Sequence, residues 1–414
     1  MQTLKTVVVI GAGIAGISSA LWLQRSGLEV TVVDREGVAA GASYGNAGVI
    51  ETSGVIPVTT PGILWSAPKL LFDRNEPLFL KWSYLPRLLP FLVRYLSHAN
   101  EREMKRIGSA IAEMIHDGYE QHLALARGTP AEKYLKPTDY LYLYDTPEHF
   151  EAEASHWKLR GDLGLPYEVM TNDELETERP GLSGKFGLGI RGTHHGQITD
   201  PGEYTKALAT AFEEGGGKIV LASVDGFVRN GHQIAGVKTG AGEILADAFV
   251  LAAGAWSNRL LADLDLHVPM ESERGYHVEF VNPNIELKSN WMLRQRKFAM
   301  NSMEGRLRCG GIVEFGGLDA PPGREPFELL KRNALQVLPE LEYDEIREWM
   351  GHRPSTSDSL PLVGNFAAVT NLWACFGHQH LGLTAGPKTG RWLAQMMTGE
   401  TPNTDITPYS PNRF

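Results

Sequence analysis

Cysteine is nearly absent from this chain of 414 residues: only Cys309 and Cys375 occur, far apart. Two thiols so placed make no disulfide framework and point to a reducing compartment. Cations are in deficit, with 39 Lys and Arg against 49 Asp and Glu for a formal net charge of −10. That excludes a general nucleic-acid binder, which must neutralise phosphates with clustered cations. Nor does any window offer the roughly 20 uninterrupted apolar residues of a membrane-spanning helix. The nearest, 77–96 (PLFLKWSYLPRLLPFLVRYL), carries Lys81, Arg87 and Arg94 and is interrupted by Pro86 and Pro90. It reads either as broken helices packed on the protein itself or as a segment on a membrane surface. In the second reading the cations lie at headgroup level, with Trp82, Tyr84 and Phe91 inserted. The start, MQTLKTVVVIGAGIAG, enters strand-like residues without a small-residue cleavage site, so no secretory signal and a cytoplasmic location are expected. No solenoid-period repeat occurs.

What is present is enough for a large core: 43% hydrophobic and 21% charged residues exclude wholesale disorder. The length suggests two or three domains.

The clearest pattern lies at the front. Thr6–Ile10 (TVVVI) is β-branched, as in a buried parallel strand, and leads into Gly11-Ala12-Gly13-Ile14-Ala15-Gly16. Ile14, Ile17, Ala20 and Leu21 then recur at helical spacing up to Gly27, and a second strand from Glu29 ends at Asp34-Arg35. This is a βαβ unit with glycines in its first turn. Gly11 permits the tight turn, Gly13 admits a pyrophosphate to the backbone, and Gly16 brings the helix against the strand. The helix N-terminus offers unpaired N–H groups to the diphosphate. Asp34 can accept from ribose hydroxyls and would repel a 2′-phosphate, which disfavours NADP.

FAD and NAD remain to be separated. A second run of small residues, Gly41-Ala42-Ser43-Tyr44-Gly45-Asn46-Ala47-Gly48, follows the ribose strand. A flavin dinucleotide needs such a run along its pyrophosphate and ribityl chain, where Ser43 and Asn46 can donate; an ordinary Gly-rich loop is the alternative. Downstream, Lys218–Val224 and Ile234–Lys238 look like a hairpin, and Ala248–Gly254 reads as a buried strand ending in a small-residue turn.

The glycine motif, GASYGNAG at 41–48, VLAAGAWSN at 250–258, GHRPSTSDSLPLVG at 351–364 and GHQHLGLT at 377–384 together resemble the D-amino-acid oxidase superfamily of FAD-dependent oxidoreductases. SYGNAG, RLRCGGIVEFGG at 306–317 and GHQHLGLT are most similar to bacterial D-amino-acid dehydrogenases. The resemblance implies FAD as cofactor, with Val224 at the adenine and Ala253, Gly254 and Trp256 closing the dinucleotide fold. It also places Gly377, Gly382, Leu383 and Thr384 at the flavin N1/C2=O edge, where a helix N-terminus stabilises negative charge. Arg353, in the R-P motif, is expected to grip the substrate carboxylate, a task suited to a guanidinium fork. Tyr276 either orients the substrate or is a packed core residue. His378 and His380 flank the flavin loop and are candidates to line the pocket, His378 being the one carried as a site residue.

Two tempting clusters weigh less. Cys375, His378 and His380 have the spacing of metal ligands, but no second cluster accompanies them and no metal is expected. His194-His195 precede Asp200-Pro201-Gly202-Glu203, a helix start with cap, N1 proline and N3 acid, so an exposed loop is the expectation there. Glu314 reads as a structural carboxylate.

The expected fold is α/β: a Rossmann-like FAD-binding domain from 1–90, 216–264 and 346–414, and a mixed-sheet substrate domain capped by helices from 91–215 and 265–345. The expected reaction is oxidative deamination of a D-amino acid, D-proline and 4-hydroxy-D-proline included, with electrons passing to a quinone or other acceptor. The alternatives are a same-fold oxidase acting on glycine- or sarcosine-like amines with O2, an ordinary NAD-dependent dehydrogenase, and a non-catalytic flavin-fold protein.

Overall fold

The computed structural model describes residues 4–63, 73 and 76–414. Part of the first expected domain segment, 64–72 among it, lies outside the described residues. Two sheets organise the chain. The first has six strands in the order Leu362–Asn365, Leu372–Phe376, Ala248–Leu251, Thr6–Ile10, Glu29–Asp34 and Lys218–Leu221. All neighbours are parallel except the first pair. Residue alternation explains why its central strand is apolar throughout. Val7 and Val9 pack with helices Ile14–Arg25 and Gly382–Met397, whereas Val8 and Ile10 face the opposite layer with Phe227 and Val237. A strand covered on both faces has no polar side to show.

That opposite layer is an antiparallel meander of Val224–Asn230, Gln233–Thr239 and Gly242–Leu245. The hairpin expected at 218–238 is thus corrected: Lys218–Leu221 pairs with Glu29–Asp34, and the hairpin proper begins at Val224.

The second sheet has ten strands. Its main path runs Glu345–Thr356, Met270–Val281, Arg306–Phe315, Phe298–Met303, Asn290–Leu293, Leu135–Tyr144, Leu188–Ile198 and Val49–Ile50. Leu78–Leu80 and Tyr167–Met170 pair alongside it. Helix Glu325–Val337 covers one face through Phe327, Leu330 and Ala334, packed with Tyr276, Val278 and Phe280.

Each sheet is assembled from pieces distant in the sequence. Glu345–Thr356, expected with the nucleotide domain, is hydrogen-bonded along its length to Met270–Val281 in the second sheet. Helices Glu101–Ile115, Gly118–Ala126 and Pro201–Glu214, expected in the substrate domain, pack their apolar faces into the core beneath the first sheet. The Pro201–Glu214 helix does start as read, with Asp200 accepting from the Glu203 N–H at 3.0 Å. His194 and His195, however, lie in the Leu188–Ile198 strand, and His195 is buried rather than looped out.

Segment 77–96 forms the strand Leu78–Leu80, a short turn at Trp82–Tyr84 and helix Leu85–Ser97. Leu88, Phe91 and Tyr95 pack inward against Phe315, and Tyr84 donates to Glu271. Of the three rings expected at a surface, only Trp82 is exposed, together with Leu89 and Val93. Among the described residues no helix is long and apolar enough to cross a membrane.

Candidate active site

A cavity of about 640 Å³ runs between the two sheets, from Val224 and Trp256 past Gly13 to Thr384 and Arg353. The glycine turn forms one wall. Gly11 has φ +113°, and a Cβ there would lie 2.4 Å from the Ala252 carbonyl oxygen. At Gly16 a Cβ would meet the Gly11 carbonyl at 1.9 Å, so the helix sits directly on the turn. These are the backbone freedom and close approach that only glycine permits. Gly11, Gly13, Ile14 and Ala15 line the cavity; Ala12 and Gly16 do not. Ala12 instead donates to Asp34 Oδ2 at 2.8 Å, while Asp34 Oδ1 accepts from Glu36 and Gly37 N–H at 2.8 and 2.9 Å. The carboxylate at the strand end is therefore held rigidly at the cavity edge.

The 41–48 loop closes over the helix N-terminus, where Ile14 N–H donates to Ser43 Oγ at 2.8 Å. Ala42 and Ala47 line the cavity, but Gly48 packs against Ile198. Asn46, expected to donate to a ligand, spends its amide on the turn: Nδ2 donates to Ser43 O, and Oδ1 accepts from Gly48 N–H, both at 2.8 Å. Arg308 clamps this loop from the second sheet by donating to the Tyr44 and Asn46 carbonyls, with Glu279 as its buried counter-ion at 2.6 Å. At the far wall the Arg35 guanidinium lies 4.1 Å from the Trp256 ring centroid, beside Val224, Ala253 and Gly254.

At the other end, strand alternation decides which side chains enter. Along Met270–Val281, Glu273, Gly275 and His277 share the cavity face; Val278 and Phe280 lie in the core behind it together with Tyr276, which also borders the cavity. The Tyr276 phenol donates to Glu314 at 2.5 Å and accepts from Gly323 N–H, and Glu314 also pairs with the buried Arg274. Of the two readings of Tyr276, this geometry favours the packed core residue, and Glu314 is structural. His277 stacks on Trp349, whose ring passes so close to Gly45 and Gly351 that neither position has space for a Cβ.

Arg353 faces Glu273 across the strand pair and lies over Gly275, where a Cβ would sit 2.5 Å from its guanidinium carbon. Its Nη1 donates to Ile312 O at 3.1 Å, its single hydrogen bond to the described residues, and the side chain lines the cavity. Glu273 is buried and accepts from Tyr95 at 3.2 Å; burial raises its pKa, which Arg353 opposes. The two histidines of the C-terminal loop separate. His378 turns inward to Thr389 at 3.0 Å, joining Cys375, whose Sγ also reaches Thr389. His380 opens into the cavity, and burial together with Arg353 lowers its pKa to about 4. Both histidines border the cavity; the His378 ring is engaged by Thr389, whereas His380 is exposed there. Glu51 and Glu273 were missed, although the alternation around Gly275 makes Glu273 legible in the sequence.

The family of FAD-dependent oxidoreductases designated DAO matches residues 6–396. The chain belongs to that family. A D-amino-acid oxidase of Bradyrhizobium diazoefficiens is 35% identical over 417 residues, covering 99% of both chains. Among solved structures, L-proline dehydrogenase from P. horikoshii is similar with a TM-score of 0.75 at 21% identity, covering 100% of this chain and 98% of that one. Glycine oxidase from Geobacillus kaustophilus has a TM-score of 0.75 at 20% identity, covering 99% and 98%. The protein is an FAD-dependent oxidoreductase. The cavity suits FAD on its own terms: it is long, a glycine turn leaves space where a Cβ would intrude, and one helix N-terminus, at Ile14, lies along it while another, at Gly382, lies at the Arg353 end.

Proposed function

We propose that the protein oxidatively deaminates D-amino acids, cyclic ones such as D-proline included, and passes the electrons to a quinone or similar acceptor. The observation that carries the reading is Arg353, a half-buried guanidinium lining the cavity with one bond to a backbone carbonyl and donors to spare. A carboxylate is the ligand that satisfies such a fork through two parallel N–H bonds.

Gly13, the Ile14 end of its helix, Asp34 and Ser43 would hold the adenosine diphosphate of FAD, and Thr384 with the backbone of 382–384 the ring end. When bound, FAD supplies a two-electron acceptor for the hydride of the substrate α-carbon. Arg353 fixes the carboxylate and so restricts the orientations open to that carbon. The substrate amine must be neutral to release the hydride, and His380, neutral above pH 5, adds no second cation beside it. The product leaves as an imine that water converts to a 2-oxo acid and ammonia, or as a cyclic imine. The exposed Trp82, Leu89 and Val93, flanked by the exposed Arg87 and Arg94, offer a surface for contact with a membrane carrying the acceptor.

The oxidase name of the Bradyrhizobium relative favours a second reading, in which O2 is the acceptor. A panel of D-amino acids added anaerobically, with flavin bleaching followed, tests the substrate class. No bleaching with any D-amino acid refutes it. Dye-coupled turnover with little hydrogen peroxide supports the quinone reading, and vigorous oxygen uptake without added acceptor refutes it.

A further inference from the structure

Glu51 is a carboxylate that neither the cofactor cradle nor Arg353 accounts for. It follows the two-residue strand Val49–Ile50, and its own N–H donates to Thr384 Oγ1 at 3.1 Å. That bond ties it to the N-terminus of helix Gly382–Met397, the end of the cavity where His380 and Arg353 also lie. Its Oε1 accepts from the Tyr142 phenol at 2.8 Å. The Tyr142 bond is the one hydrogen bond its carboxylate accepts from a described residue, which leaves Oε2 open, and Glu51 lines the cavity along with Val49, Tyr140 and Met292. Gly54 makes space for it, since a Cβ there would lie 2.8 Å from the Glu51 carboxyl carbon.

An acceptor left open in an otherwise apolar wall calls for a donor from the ligand. The surroundings also say which kind. Behind Tyr142 lies Arg160, a buried guanidinium over the Tyr142 and Trp157 rings, donating to Ser53 O and in no ion pair with the described residues. Burial raises the Glu51 pKa, and the Tyr142 phenol, Arg160 and Arg294, the last held bidentately by Glu153, oppose that and favour the charged carboxylate. A ligand ammonium would be a further cation at this place; a neutral hydroxyl satisfies Oε2 without one.

We propose that Glu51 is a specificity-determining residue that selects an amino acid whose side chain ends in a hydroxyl, received at the open carboxylate oxygen. The inference rests on the amino-acid reading above and deepens it. The test compares kcat/KM for D-proline against cis-4-hydroxy-D-proline, and for D-norleucine against D-lysine. It also compares dissociation constants for tetrahydrofuran-2-carboxylate and its cis-4-hydroxy derivative, which carry no amine and cannot be oxidised. In the wild type the hydroxylated member of each ring pair is expected to be favoured by about 10- to 100-fold, the range of one hydrogen bond to a charged group. In Glu51→Leu, whose side chain can neither accept from nor donate to a hydroxyl, the preference falls below about threefold. The wild-type binding ratio keeps the test decisive even where the variant folds poorly. A wild-type ratio near one, a preference that survives in Glu51→Leu, or D-lysine favoured more strongly than the hydroxylated ring overturns the inference. Turnover of D-amino acids with no hydroxyl preference defeats the inference alone; no turnover of any D-amino acid defeats the reading beneath it.

Discussion

Replacing Arg353 by Leu removes the fork expected to hold the substrate carboxylate and leaves a second mark on the protein itself. Two charge-assisted hydrogen bonds at about 1.5–3 kcal/mol each amount to about 3–6 kcal/mol. At about 1.36 kcal/mol per tenfold, that is a loss of roughly 10²- to 10⁴-fold in kcat/KM. The cofactor is expected to stay bound, because Arg353 lines the end of the cavity remote from the glycine turn. The second mark comes from Glu273, buried across the strand pair, whose raised pKa Arg353 holds down. Without the cation its carboxyl rises further above the ordinary value of 4.5. A carboxyl raised on folding contributes stability below its unfolded pKa and loses it as pH rises through the folded one. Arg353→Leu is therefore expected to be destabilised relative to wild type much more near about pH 8 than near about pH 5, read as Tm of the FAD-loaded proteins. Stopped-flow reduction and steady-state kinetics give the first effect. Near-normal kcat/KM with amino acids would refute the carboxylate assignment, and a pH-independent stability difference would refute the coupling to Glu273. Arg353→Lys keeps the charge without the fork, so it should recover the stability profile and only part of the activity.

Tyr276→Phe should leave kcat/KM nearly unchanged yet lower stability by about 1–3 kcal/mol, because it takes a donor from buried Glu314; a large kinetic effect in turnover assays would return Tyr276 to the site. His380→Ala should raise KM with little change in Tm, whereas His378→Ala should cost about 1 kcal/mol of stability through its lost contact with Thr389 and spare the kinetics. Since His380 titrates near 4, the rising limb of a kcat/KM profile above about pH 6 belongs to the substrate amine and should persist in His380→Asn. Asp34→Asn loses the charge that three N–H groups share and should weaken FAD retention on dialysis, with apoprotein accumulating.

Legibility in the sequence followed the range of the interactions concerned. The strand Thr6–Ile10, the helix from Ile14 and the strand from Glu29 appear where the residues place them, because each is determined by neighbours within a few positions. The same holds for the Asp200 cap and for the helix from Gly382. The Lys218–Leu221 strand was misassigned to a hairpin because a short β-branched run carries no mark of its partner. His195 was misread because polar residues in a buried strand look like a loop until their partners, Thr52 and Ser53 from 142 or more residues away, are known. Tyr276 has two readings in the sequence, and Val278 and Phe280 on the same strand face favour the packed one.

The sequence by itself determined the dinucleotide fold and its cofactor class, since three glycines and one acid act through backbone geometry that any neighbouring side chains must accommodate. Arg353 is pointed to only through the family resemblance of its R-P motif. The composition of the substrate end was decided only by the tertiary structure. Arg353, Glu273, Glu51 and His380 come from four separate stretches, and whether each faces the cavity depends on strand alternation, on a loop rotating His380 out and His378 in, and on a bond from Glu51 to Thr384. Those are contacts across hundreds of residues, and no local pattern encodes them.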